Sequence, residues 1–445
     1  MAVSSETIHT RRDSIKEFLL RIWKPYRKVP LIGWIFGSMV AVALELLVGF
    51  PLARALGLQK VPALFGVGIA LKDPHLIPGA LLYIIIIYIL PIGLITRFTS
   101  KFTNRLAGWM LTLPLWLAEI IHLVLIYTVL HFWSGINDYR LLIVRLILVA
   151  VIFTLSLNVI NGYMGEFSCS HPGFIALGAY MASVFTVLLF VDDNLFGAAL
   201  LPATLGRFLF PIGLILGGII AALGAIIIAV PSFRTRGDYL AIISLAFMFI
   251  IKSLLENLEV VGGARGLGGQ PDWANLPTVF FWTVLCVWVI NNFVTSTMGK
   301  ALNAVRDGEL AAGAMTVNTR RTKMIAFLFG AFWAGVGGGL FAHVIRYVNP
   351  GTFGLTMLAE VLAMVYFGGL NSIVGSIFGA VGINLLSEAL RPLEIYKWII
   401  IPVLLIFIMI YQPRGVFAFR EFNFKKMIQP KTSDEEEVKD AAAAN

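Results

Sequence analysis

The chain has 445 residues, 58% hydrophobic and 13% charged, with a formal net charge of +9 and a mean hydropathy of +0.86. A soluble domain is about a quarter charged and less than half apolar, so a soluble globular enzyme is excluded. Apolar stretches of about 20 residues recur, the length that crosses a hydrocarbon core of ~30 Å. The fold class that follows is an all-α polytopic membrane protein of about 10–12 transmembrane or half-spanning helices. Its basic residues sit in short connections beside apolar spans, where they record orientation and do not point to nucleic acid. Cys169 and Cys286 lie far apart in apolar surroundings, so neither a disulfide nor a metal site is expected.

In chain order, residues 1–30 form a basic N-terminal arm with Arg11, Arg12, Lys16, Arg21, Lys24, Arg27 and Lys28. The arm lacks a small-residue cleavage site and is expected in the cytoplasm. Residues 14–22 fit either an interfacial amphipathic helix or a disordered segment. Spans are predicted at 31–53, 76–96 and 109–132, so residues 31–135 read as a set of N-terminal helices. A fourth span covers 141–161, and the connection from His131 to Arg140 is expected outside the cytoplasm. Glu45 and Glu119 fall inside spans, where an ionisable group is costly. They read either as a proton relay or as groups hydrogen-bonded in helix packing. Packing is preferred, because no basic partner stands out in the neighbouring apolar segments.

The stretch NGYMGEFSCSHPGFIALGAYMASVF, residues 161–185, is punctuated by glycines and carries Ser168, Ser170, His171 and Tyr180. Irregular backbone at membrane depth is tolerated only in a protein interior or along a cavity. It therefore predicts either a substrate path of the broken-helix kind or close helix packing. Arg234 and Arg236 mark a cytoplasmic turn, with Asp238 as the cap of the next helix. The glycine-rich loop 255–273 is expected outside. Spans at about 207–230, 239–256 and 278–296 lead to the longest polar interruption of the C-terminal two-thirds, GKALNAVRDGELAAGAMTVNTRRTK (299–323). Ala301, Ala304, Val305, Ala312 and Met315 recur near helical spacing there, which predicts a short amphipathic helix with a small-residue face for docking. The alternative is a basic loop that only sets topology. AGVGGGL (334–340) permits close helix approach. VYFGGLNSIVGSIFGA (365–380) repeats the glycine-and-serine interruption of 162–178. Arg414, Arg420, Lys425 and Lys426 place the end of the last span in the cytoplasm. Residues 419–445 read as a charged cytoplasmic tail, in which KTSDEEEVKDAAAAN (431–445) is expected to be disordered. No phosphate-binding loop, metal-ligand cluster or nucleophile elbow is present, so the chain is not expected to be an enzyme or to carry a cofactor.

PSFRTRGDYLAI, VGGARG (261–266), GKALNAVRDGELAA and YQPRGV (411–416) occur in the order and spacing of LivM-type permeases. Together with NGYMGEFSCSHPGFIALGAY, the chain over ~145–418 resembles that family of membrane subunits of bacterial branched-chain amino acid ABC importers. The resemblance implies a permease core at 136–418, in the inner membrane with both termini cytoplasmic. Its implied partners are a second, LivH-like permease, two ATP-binding subunits and a periplasmic solute-binding protein. It also implies that 299–316 is the coupling helix, with Arg306, Asp307, Glu309, Ala311 and Ala312 transmitting the ATPase stroke. Gly162, Ser168, His171, Gly173, Tyr180 and Glu360 are the candidate residues of the translocation path, and Glu360 fits packing equally. The chain departs from the family pattern at Ser170, Pro172, Gly173, Met248, Phe249, Lys252, Arg265, Gly313 and Thr316. Branched-chain amino acids, urea, amides and other small polar solutes therefore all remain open. A proton-coupled secondary transporter using the intramembrane carboxylates is the alternative of a different class.

Overall fold

The structure, a computed structural model, describes residues 26, 28–58, 74–193, 196–233, 239–391, 396–412, 415–419 and 422–429. Arg234, Arg236, Asp238, Arg414, Arg420, residues 14–22 and the end of the tail lie outside the described residues. Nine described helices are long and apolar enough to cross a membrane, and three shorter apolar helices follow them. The protein is a multi-pass, all-α membrane protein.

The described chain divides into two units, residues 1–140 with 423–445, and residues 141–422. The first contains α1 (Leu31–Ala55), α2 (Ile77–Phe98), α3 (Ser100–Met110), α4 (Leu115–Ser134) and a short C-terminal helix, Phe424–Ile428. The third predicted span begins at 115 and not at 109. The chain turns at 111–114, with Pro114 as the residue before α4. A proline lacks the amide a helix interior needs but is well placed at a helix start. Ile428 is fully buried with Ile32, Ala107, Met110 and Ala118. The first unit is thus built from both ends of the sequence.

A second core in this unit is polar. Glu45, on α1, accepts two hydrogen bonds from Arg140, from Nη1 at 3.0 Å and Nη2 at 2.7 Å. Tyr83 and Tyr88 donate to its two oxygens at 3.0 and 2.5 Å. Residues five apart lie about 140° apart on a regular α-helix at 100° per residue. The π turn Ile85–Ile89 inside α2 widens the turn and brings both hydroxyls to one carboxylate. Trp133 Nε1 donates to the Tyr88 hydroxyl at 3.0 Å, and its ring lies 5.0 Å from the Arg140 guanidinium. No basic partner for Glu45 stood out in the neighbouring apolar segments; the structure supplies one from the end of the 131–140 connection.

The second unit contains α5 (Asp138–Met164, from Leu141 onward), α6 (His171–Phe190), α7 (Ala203–Ser232), α8 (Tyr239–Asn257) and α9 (Leu276–Thr295). Two short helices, α10 (Thr297–Asp307) and α11 (Glu309–Ala314), precede α12 (Thr319–Ile345). Helices α13 (Leu355–Gly368), α14 (Ile373–Ala389) and α15 (Lys397–Tyr411) complete it. Its centre is the trio α6, α7 and α12. Gly178 and Gly335 bring the backbones of α6 and α12 into direct contact, and a Cβ on either would clash with its neighbours. Gly217 of α7 approaches the Gly178 carbonyl, and Gly338 of α12 approaches that of Ile175. Lipid gives helices no hydrophobic reason to associate, so such small-residue contacts supply the packing. The glycine-rich loop before α9 is pinned by a two-residue antiparallel ladder, Leu267 with Val348 and Gly268 with Tyr347.

Candidate translocation and coupling site

Helix α5 ends in a π turn, Val159–Met164, closed by Gly165 in the left-handed region at φ +78°. Only glycine adopts that conformation without strain. A side chain there would also strike the stem of Arg306. The chain then runs as irregular backbone to Ser170 before α6 begins at His171. Unpaired amides are costly in an apolar interior, and side chains from other helices satisfy them. Asn161 Oδ1 accepts from the Ser168 amide at 3.2 Å, and Ser244 Oγ on α8 accepts from the Cys169 amide at 2.8 Å. The Ser168 and Ser170 hydroxyls are 2.8 Å apart.

His171 is fully buried. Its Nε2 lies 3.1 Å from the Phe153 carbonyl and 2.9 Å from Ser156 Oγ, both on α5. A carbonyl only accepts, so Nε2 carries the proton and donates to Phe153. The ring thus ties the start of α6 back across the break to α5.

The second glycine-and-serine interruption falls between α13 and α14. Asn371 sits at φ +56°, and Ser372 caps α14 by accepting from the Gly375 amide at 3.0 Å. Asn158 joins the two interruptions. Its Nδ2 donates to Ser376 Oγ at 2.6 Å and to the Ser372 carbonyl at 3.1 Å, and its Oδ1 accepts from the Asn371 amide at 3.0 Å. A Cβ on Gly162 would collide with this carboxamide and with the Asn371 amide.

The predicted single helix over 299–316 is two helices meeting at Gly308. Glycine costs about 1 kcal/mol in a helix interior, and Glu309 then provides a negative first turn for α11. Val305 and Ala312 are buried, while Ala304, Ala311 and Met315 are exposed. Leu310 and Met315 are 83% and 77% exposed, so the outward face carries large apolar side chains as well as small ones. Arg306 turns inward. Its Nη1 donates to the Gly162 carbonyl at 3.4 Å, and its guanidinium lies 5.3 Å from the Phe419 ring. The same guanidinium pairs with Asp307 at 2.9 Å. Lys323, near the start of α12, reaches Glu166 at 2.6 Å and Glu309 at 2.8 Å.

The structure therefore brings Gly162, Ser168, His171 and Gly173 to one place around the first interruption. Gly173 packs against the Phe247 ring of α8. Tyr180 stands two and a half turns further along α6, ~13 Å away, where its hydroxyl donates to the Val348 carbonyl at 3.4 Å. Glu360 is half-buried on α13, a different element. Among the coupling candidates, Arg306 and Glu309 contact residues of the first interruption or of α12, Ala312 is buried, and Asp307 and Ala311 face outward. Sequence reasoning did not single out Asn158, Glu166, Ser244 or Lys323 for the site. Asn158 had one legible signal, a carboxamide inside the apolar run preceding the first interruption.

The family model described as "Branched-chain amino acid transport system / permease component" matches residues 139–409. The chain is similar to the high-affinity branched-chain amino acid transport system permease protein LivM of Escherichia coli (strain K12). The two are 29% identical over 318 residues, 64% of this chain and 71% of the relative. Similarity to LivM of Salmonella typhimurium has the same extent. The permease protein LivH of E. coli (strain K12) is 26% identical over 172 residues, 38% of this chain and 55% of the relative. No solved structure matches the chain.

Proposed function

The chain belongs to the branched-chain amino acid transport permease family, and from that premise we propose that it is one membrane subunit of an ATP-driven importer. A second, LivH-like permease would sit beside it. A periplasmic binding protein would deliver branched-chain amino acids or related small polar solutes, and two ATP-binding subunits would dock on α10 and α11. The subunit itself carries no catalysis in this reading. The observation that carries it is the geometry of Arg306: a helix pair with exposed Leu310 and Met315 sends one side chain back to the Gly162 carbonyl of the broken helix. A docked ATPase thus has a direct route to the turn between α5 and α6.

Gly162, Ser168, His171, Gly173, Tyr180 and Glu360 shape the path. Ser168 and His171 are fully buried, as befits a closed state, and ATP-driven movement of α10 and α11 opens the break in the other state. Residues 31–135 are an N-terminal addition to a core at 136–418. Eight of the described helices that precede Thr297 are long and apolar enough to cross a membrane, an even number. A cytoplasmic N-terminal arm therefore puts the basic segment 299–323 on the same side, in a bacterial inner membrane. The proton-driven alternative loses its first carboxylate, since Arg140 and two tyrosines hold Glu45.

Purification of the complex from its native membrane, with mass spectrometry of what accompanies it, tests the assembly. Recovery of an ATP-binding subunit and a second permease is expected, along with ATP-dependent uptake of leucine, isoleucine or valine by reconstituted vesicles. Uptake that follows a proton gradient in vesicles lacking ATP overturns the reading.

A further inference from the structure

One ion cluster in the second unit goes beyond the coupling segment itself. Lys323 Nζ lies 2.6 Å from Glu166, in the irregular backbone of the first interruption, and 2.8 Å from Glu309, the first residue of α11. These anchors are 157 and 14 residues from it in sequence. The Lys323 side chain is only 11% exposed, against 28% for Glu166 and 52% for Glu309. One ammonium therefore ties three elements: the coupling segment, α12 and the loop between α5 and α6.

We propose that Lys323 is a positioning residue for the transport stroke, a two-armed bridge that makes the first interruption move with α11. The proposal rests on the importer reading and deepens it by naming the joint. The geometry favours transmission over simple stapling for two reasons. First, Asn318 caps α12, accepting from the Arg321 amide at 3.0 Å, so the start of that helix does not depend on Lys323 for its order. Second, the bridge runs parallel to the Arg306 contact. Arg306 meets Gly162 before the turn at Gly165, and Lys323 meets Glu166 just after it. A displacement of α10 and α11 thus acts on both sides of that turn, which bends the break without dragging one flank. Charge-assisted bonds from one ammonium to two carboxylates are short, strong and directional, and the partial burial limits their screening by salt.

The test uses the purified transporter complex in nanodiscs, with spin labels at Ala314→Cys, at the end of α11, and, separately, at Phe167→Cys. Both sites are exposed, and the native Cys169 and Cys286 are buried. In the otherwise native complex, ATP with vanadate is expected to shift both labels. With Lys323→Met it shifts the Ala314 site alone, and leucine moved per ATP hydrolysed falls by about tenfold. Lys323→Arg restores the Phe167 response. Equal responses of both labels in Lys323→Met and the parent overturn the bridge. If Lys323→Met fails to assemble, Glu166→Ala and Glu309→Ala each cut one arm. The bridge requires both to silence the Phe167 site, and a normal response in either overturns it. A parent complex in which Ala314 never responds to nucleotide is a different failure, that of the importer reading, and the bridge falls with it.

Discussion

The guanidinium of Arg140 and the carboxylate of Glu45 form a two-pronged pair at 3.0 and 2.7 Å across 95 residues of sequence, with both side chains at most 1% exposed. Two tyrosine hydroxyls complete the carboxylate's hydrogen bonds. Removing one partner of a buried pair costs about 3–5 kcal/mol, because the other charge is left uncompensated, whereas replacing both with apolar side chains of similar size is often neutral. Glu45→Ala is therefore expected to lower the unfolding temperature of the detergent-purified protein markedly, and Glu45→Met with Arg140→Met to recover most of the loss. A neutral Glu45→Ala in thermal melts contradicts the assignment.

Asn158 links the two interruptions through three strong hydrogen bonds. Asn158→Leu keeps the approximate size, removes all of them and leaves the half-buried Asn371 amide without this acceptor. The expected loss is about 1–3 kcal/mol, together with a fall in uptake. Denaturation and vesicle transport on the same preparation check both.

Contact between α6 and α12 sets a steric prediction. Gly178→Val drives a side chain into the backbone of Gly335, and overpacking of this kind costs about 1–3 kcal/mol or more. Monodisperse protein recovered by size-exclusion chromatography is expected to drop sharply. A Cβ at Gly108 meets nothing beyond its own helix within 4 Å, so Gly108→Val serves as the matched control with unchanged yield.

On the coupling segment, Leu310→Asp with Met315→Asp changes side chains that are 83% and 77% exposed, so the fold tolerates them. A central apolar anchor in an interface contributes about 2 kcal/mol or more. Recovery of the ATP-binding subunit with the affinity-tagged permease is expected to fall severalfold while permease yield is unchanged. Undiminished co-purification places the docking face elsewhere.

Four residues show where sequence reading of the site stopped. Arg306 and His171 were legible because each stands in a polar interruption of an otherwise apolar chain. Lys323 was visible as a basic residue, but nothing local says that it meets Glu166 157 residues away. Arg140 was read only as the end of a connection outside the cytoplasm, and nothing local names Glu45 as its partner 95 residues away. In both cases the partner is chosen by which helices pack together, and one-dimensional periodicity does not encode that.

Membrane insertion and the two interruptions follow from the sequence alone. Each depends on a local property: about 20 apolar residues to match the bilayer, or a glycine where the backbone turns left-handed. Tertiary structure alone decided the start of the third span after Pro114, the division of 299–316 at Gly308, the Glu45–Arg140 pair and the Lys323 bridge. Those features arise from competition among many alternative contacts of nearly equal local merit. Only the packing of helices within each unit, and the burial that it imposes, fixes which polar groups must satisfy one another.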